Sequence, residues 1–420
     1  MTTIKNETEI KKGVFAMIKL AQSVLLISSK IEFKREIVED PVVDAGTYWI
    51  VSADFGTHSK SLISGSLSGP IKWHRRIYGS WETHMIANVS GAVHADYVDV
   101  NGDGYMDLVV GYRFDGCPTE CNADSGRVGW LKNPQGSFGQ EWILHEIGQP
   151  QSPPHRVAVL NREANDRRDM RLASIPIVGY EEGVHDDTLM TPKMHLTSFS
   201  FPVDNFELSD SWLSLGEELI ADDLLVCHEG KSVDATRINA SLTGEGLLVG
   251  CNQGAFLFHR DSISKQWLRQ TVIERRFFND SMYSGVSSIA QSWMNGTTVY
   301  PFIAPWHHGH TGMSVENAVN ELRFFGPGGH DVRSTDFKRP MDSTCAYCSD
   351  EFIFAFRNST QGIHMLDNQL SYKQIYDGPV SMMTVNDFDG DGFADVASIN
   401  WGAAGDSKVV VHLSNQSRMK

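Results

Sequence analysis

The sequence predicts an all-β protein, a β-propeller of four-stranded blades, seven in number. Three observations carry that expectation. First, a spacing recurs: Trp81, Ile86 and His94 are matched by Trp142, Ile147 and His155, with Ile220 and His228 repeating the second half and Trp267 and Val272 the first. Second, short apolar runs return between these marks, as in "DLVVGY", "RLASIPIVGY", "GLLVGC", "VYPFIAPW" and "ADVASINWG". Third, Gly, Asn and Asp separate the runs, so each is bounded as a strand of five to eight residues. Four short strands repeated around an axis leave only short protected edges. A β-sandwich does not repeat a Trp-x4-Ile signature, and β-helix rungs are much shorter.

The elements follow in order. Residues 1–40 read as an N-terminal extension and residues 41–420 as the propeller. Val14 to Ser28 is apolar but interrupted by Lys19 and Gln22, too short to span a bilayer; it reads as an atypical leader or an added helical segment. Within each repeat a strand such as "HADYVDV" leads through a tight turn to its apolar partner. "GRVGWLKNPQGSFGQEW" and "GAFLFHRDSISKQW" supply the two outer strands. The signature residues Trp81, Trp142 and Trp267 are assigned to the core. Glu181 to Ser214 is long and poorly periodic and is expected to carry an inserted loop over one face.

Composition limits the partners. Of 420 residues, 41% are hydrophobic and 21% charged, the balance of a globular chain. The net charge of −16 repels nucleic acid and anionic lipid, so neither is expected to bind. The cysteines form two close pairs, Cys117/Cys121 and Cys345/Cys348, with Cys227 and Cys251 apart; disulfides and free thiols both fit. Seven Asn-x-Ser/Thr sequons (Asn6, Asn88, Asn239, Asn279, Asn295, Asn358, Asn415) tilt slightly toward secretion. A cytoplasmic and a secreted location both stay open.

Two acidic loops share one pattern. Asp99, Asn101, Asp103, Tyr105 and Asp107 stand at positions 1, 3, 5, 7 and 9 of the first; Asp387, Asp389, Asp391, Phe393 and Asp395 stand there in the second. Position 7 offers a backbone carbonyl, and Gly at position 6 allows the sharp turn. Hard oxygens so spaced suit calcium, and magnesium less well. Position 12 holds Val110 and Ser398 instead of the Glu of an EF-hand, and strands flank both loops. The loops resemble the Asp-rich turns of FG-GAP/VCBS-type propeller repeats in integrin α-chains and many secreted proteins. That resemblance implies the fold and the cation, with the calcium stapling the turn between a blade's first two strands.

Histidines mark the opposite end. The first strand of a blade is innermost and the second returns antiparallel to it, so the start of one and the end of the other share a face. His94, His155 and His228 open first strands; His307, His308 and His310 in "PWHHGHTG" follow a second strand. Their convergence at the channel mouth suits a transition metal, with zinc leading and a position left open for substrate. A histidine at a strand start can equally bond a neighbouring carbonyl. Met382 holds that register in the last blade, so the ring is incomplete. Tyr112, Arg113, Tyr180, Trp306 and Trp401, at second-strand ends, are candidates to line the cleft, all but Tyr180 as substrate-binding groups, with packing between blades the competing role for each. No Gly-x-Ser-x-Gly element supports a serine nucleophile.

"VHADYVDVNGDGYMDLVV", "GRVGWLKNP" followed by "HRVAVL", the "CHE" at Cys227 to Glu229, and "PWHHGHTG" together resemble the propeller domain of the fungal aldos-2-ulose dehydratase (1,5-anhydro-D-fructose dehydratase) family. The likeness runs from about Asp44 onward and is patchy between Glu181 and Leu219. It implies a zinc-dependent dehydratase, a carbon–oxygen lyase, acting on a small keto-sugar. Zinc polarises the C2 keto group, the C3 proton becomes acidic, and the C4 hydroxyl leaves as water. Carried over by motif, His155 is the acid/base; His94 and His228, with one or more of His307, His308 and His310, are ligands. Glu229 orients a ligand imidazole from behind. The family's propeller is followed by cupin-type domains, whereas this sequence stops at Lys420, so dehydration without the later isomerisation is expected. The assembly stays open, with a homodimer among the options. The alternatives are a non-catalytic calcium-binding propeller for carbohydrate or protein adhesion, and another metal-assisted lyase or hydrolase in the same cleft.

Overall fold

A computed structural model of the chain describes residues 31–39, 47–56, 59–114, 117, 121–162, 164, 166–177, 194–242, 244–274, 285–294, 297–304, 312–317, 322–325, 329–335, 351–356, 362–367, 372–400 and 407–415. These residues form antiparallel sheets, each an up-and-down run of consecutive strands, arranged as a β-propeller. The first strand of each sheet packs against the first strand of the next, so first strands line the axis. Second strands such as Asp107–Tyr112, Glu351–Phe356 and Asp395–Asn400 are buried along their whole length. Burial on both faces is why they read as unbroken apolar runs. Outermost strands alternate instead; Ser80–Asn88 buries only Ile86 fully.

The expectation of uniform four-stranded blades is met by six sheets and corrected in the other. The sheet spanning residues 288–325 has five strands, because its inner edge is split into Ser288–Ile289 and Ser292–Met294, both pairing with Thr297–Ala304. Pro301 lies opposite the break and has no N–H to continue the ladder.

A second correction concerns the chain's beginning. Glu32–Glu39, inside the stretch expected to be an extension, is the outermost strand of the last blade. It pairs antiparallel with Lys408–Asn415, Phe33 opposite Ser414 and Ile37 opposite Val410. The same strand reaches the first blade: Glu36 accepts from Arg76 and from the Trp81 indole, both at 3.1 Å, and Lys72 meets Glu39 at 2.8 Å. Burial opposes ionisation of Glu36, but Arg76, Lys34 and Trp81 outweigh it and hold its carboxyl below the usual range. One strand therefore locks the last blade to the first.

Of the signature tryptophans, Trp142 is buried as expected, whereas Trp81 and Trp267 are half-buried, since each opens an outermost strand with one face toward solvent. In the region expected to be an insertion, residues 178–193 lie outside the described set. Leu196–Ser200 and Glu217–Ala221 complete a blade, and between them a short helix, α1 (Ser209–Leu213), buries Trp212 against Trp130, Phe199 and Phe201. Cys117 is bonded to Cys121 and Cys227 to Cys251; Cys345 and Cys348 lie outside the described residues. Among the described residues no helix is long and apolar enough to cross a membrane.

Candidate active site

The mouth is shaped by extra residues in the innermost strands. Register breaks fall between Thr47 and Trp49, Pro154 and Arg156, Gly329 and Asp331, and Val380 and Met382. The residues inserted at these bulges are Tyr48, His155, His330 and Ser381. A bulge leaves its extra residue out of the ladder and re-aims its side chain, and bulges gather beside active sites. His94 opens the innermost strand of its blade and His228 immediately precedes Glu229–Asp234. All three expected histidines thus stand at the same end of the channel, and the acidic turns stand at the other. At the Met382 register the bulged residue is Ser381, while Met382 itself belongs to the core.

The hydrogen bonds fix the protons. His155 Nδ1 lies 3.2 Å from the His228 carbonyl, which can only accept, so Nδ1 carries the hydrogen and Nε2 keeps its lone pair. That lone pair faces the Tyr48 hydroxyl and Arg156 Nη1, each at 3.1 Å. The His155 and His228 rings lie 4.9 Å apart, and Phe114 closes against His155 at 5.7 Å. Arg156 is buried, its Nε 3.6 Å from the buried Glu229 carboxylate. His94 is arranged the other way: the Val157 amide donates to its Nδ1 at 3.3 Å, which puts the hydrogen on Nε2. Burial, with Arg156, Arg333 and Lys231 nearby, holds the His94 imidazole well below its ordinary pKa and neutral.

These three imidazoles do not by themselves fit zinc. His94 presents an N–H, and binding metal there would require giving up the Val157 bond. A guanidinium already stands at His155 Nε2, where it opposes a second cation. Among the described residues the one group of three acid, imidazole or thiol ligand atoms within 4.8 Å is Asp387, Asp389 and Asp395. His307, His308, His310, Tyr180, Trp306 and Trp401 lie outside the described residues.

Below the mouth is a cavity of about 470 Å³, lined by inner-strand groups including Asp96, Arg162, Glu229, Lys231 and Arg333. Its charges are paired: Arg162 to Asp96 at 3.1 Å, and Asp331 to both Arg333 at 3.1 Å and Lys231 at 3.4 Å. Tyr112, expected in the cleft, turns outward to Glu146 at 3.3 Å; burial, reinforced by that carboxylate, pushes its phenol up to about 12. Arg113 is exposed at φ 56°, its backbone tied to Ser90 and Gly126. Phe114, one residue on, is the group from this strand end that touches His155.

The acidic loops are copies of one another. Asp99 accepts from the amides of Gly102 and Gly104 as Asp387 does from Gly390 and Gly392. Those glycines need positive φ, 80° and 90° in the first loop and 79° and 91° in the second. Asp107 and Asp395 are fully buried, each between two backbone amides, and burial raises each carboxyl to about 7. The donor set is all hard oxygen, which fits the expected calcium. Among the described residues only the first loop is clasped by a guanidinium, that of Arg167, on the carbonyls of Asp99 and Val100.

Residues 98–128 match the FG-GAP repeat. The chain is also 26% identical over 130 residues to the aldos-2-ulose dehydratase of Phanerodontia chrysosporium, a match spanning 31% of this chain and 14% of that protein. The resemblance read from the sequence is thereby supported as a distant relationship over a fraction of that protein's length. Among solved structures, an ancestral GH74 enzyme superposes with a TM-score of 0.50 at 12% identity, covering 90% of this chain and 48% of that one. At that identity the likeness speaks to the fold alone.

Tyr48 is the mouth side chain that sequence reading missed, and His330 is a bulge position it did not pick out. A bulge leaves no mark in apolar periodicity. A signal for His330 did exist: His228-Glu229 with Lys231 is echoed by His330-Asp331 with Arg333.

Proposed function

We propose that the channel mouth eliminates water from a keto-sugar such as 1,5-anhydro-D-fructose or an aldos-2-ulose. The observation that carries this reading is the Tyr48–His155–His228 carbonyl chain, set at the mouth of a propeller related to a sugar dehydratase. A C–H beside a ketone is removed only when a base is poised and the enolate oxygen is stabilised. His155 supplies the base: its Nδ1–H is anchored, and its Nε2 lone pair is one hydrogen bond from the Tyr48 hydroxyl. The C3 proton enters this pair and returns to the departing C4 hydroxyl, so the sugar loses one H and one OH as water. Arg156, at the same Nε2, supplies positive charge beside the developing enolate.

Zinc is proposed on His228 together with His307, His308 and His310; when bound it supplies Lewis acidity toward a keto oxygen. Calcium is proposed in both acidic loops, as a staple.

The test incubates purified, calcium-loaded protein with 1,5-anhydro-D-fructose and follows product mass. Loss of one water, slowed about 10²–10⁴-fold in His155→Gln, is expected. Elemental analysis of the same sample should find about one zinc per chain, lost in His228→Ala. A folded, metal-replete wild type that leaves the sugar unchanged would sink the dehydratase reading. A second reading, a calcium-stapled propeller that binds carbohydrate or protein without transforming it, is favoured by the FG-GAP match; saturable sugar binding without turnover would establish it.

A further inference from the structure

The sequons take no part in the chemistry at the mouth. Asn88, Asn239 and Asn415 fall on described residues and all three are exposed. Asn239 stands apart in what its side chain does. Its Oδ1 accepts from the Ser241 amide at 3.0 Å and from the Ser241 hydroxyl at 2.8 Å. The acceptor carboxamide is thus already tied to the hydroxyl two residues on, the relation that defines the sequon, while its Nδ2 makes no hydrogen bond with a described residue. The site lies in the turn between Glu229–Asp234 and Glu245–Cys251, where the Leu242 amide donates to the Asn239 carbonyl. Turns between first and second strands stand on the face away from the mouth, so a bulky group here leaves the channel open.

An independent observation points to the compartment. All four described cysteines are paired, Cys117 with Cys121 and Cys227 with Cys251. Disulfides form and persist along the secretory route and are rare in the cytosol. That route is also where sequons are modified.

We propose that Asn239 carries an N-linked oligosaccharide, transferred from a polyprenyl-diphosphate-linked donor. A bond forms between Nδ2 and the sugar C1, the C1–O bond to the diphosphate breaks with its electron pair, and one proton leaves Nδ2.

The experiment is peptide mass spectrometry on the protein from the organism that makes it, deglycosylated enzymatically in heavy-oxygen water. Asn239 should be recovered chiefly as labelled aspartate. In the full chain secreted from a eukaryotic host, Asn239→Gln and Ser241→Ala should each lose one glycan, and Ser241→Thr should keep it. The turn is exposed, so melting temperature and sugar turnover should not change. An unlabelled Asn239 peptide from native protein overturns the proposal, whether that protein is secreted or cytosolic with Cys227 and Cys251 as free thiols.

Discussion

At the scale of single residues, one extra position in a strand decides the chemistry. Tyr48 and His155 come from blades that are not neighbours, yet each bulge turns its side chain to the mouth and the two meet at 3.1 Å. Tyr48→Phe removes only the hydroxyl, so the ring still packs beside Arg156. The expected outcome is a fall in kcat of about 10²–10⁴-fold with KM little changed, read from steady-state kinetics on anhydrofructose. A loss confined to KM would instead make Tyr48 a binding group. His94, His155 and His228 were legible because a register shared by three repeats is written in the spacing. Tyr112 was misread for a related reason: spacing places a residue at a strand end, but the outward rotamer toward Glu146 depends on the neighbouring strand. Tyr48 had no signal, because the preceding stretch carries no Trp-x4-Ile mark.

Among elements, the acidic turns carry the clearest consequence. Asp107 and Asp395 are held in backbone cages that burial makes costly to ionise, each raised to about 7. A carboxyl whose folded pKa lies above its unfolded value contributes stability that is full below the unfolded pKa and is lost as pH rises through the folded one. Calcium-free protein should therefore lose stability as pH climbs from about 4 to about 7, and calcium should restore most at the top of that window. Melting temperatures with calcium and with chelator across this range check it; a calcium effect independent of pH would mean these carboxyls are not the linked groups. Asp387→Ala should abolish most of the second loop's share of the calcium effect, since both oxygens of Asp387 also organise its turn. Second strands such as Asp107–Tyr112 and Asp395–Asn400 were legible, being buried on both faces, whereas Ser61–Ser66 and Glu351–Phe356 were not picked out. The strand Glu32–Glu39 was not: it is a charged edge, EFKREIVE, with only Val38 fully buried. Edge strands blunt their exposed side with charge, which erases the alternation that would betray them.

For the whole molecule, closure is the organising fact. The first described strand is the outer wall of the last blade, and Glu36 clamps it to Arg76 and Trp81 of the first. Removing residues 1–40 should uncover the Lys408–Asn415 edge and abolish the single cooperative unfolding transition, as followed by circular dichroism in urea. Glu36→Ala, which keeps the strand and loses the clamp, should cost about 1–3 kcal/mol while preserving cooperativity. If truncation left the midpoint unchanged, the ring would be closed by something other than this strand. The closure also sets a timetable for birth on the ribosome. Phe33 is made well before its partner Ser414, so the segment that seals the ring must wait, unpaired, while the blades between them are synthesised. Contacts so distant along the chain form slowly and leave edges open to strangers meanwhile. Residues chosen for charge in EFKREIVE thus serve the nascent chain as well as the finished one, keeping the waiting strand soluble until its partner arrives.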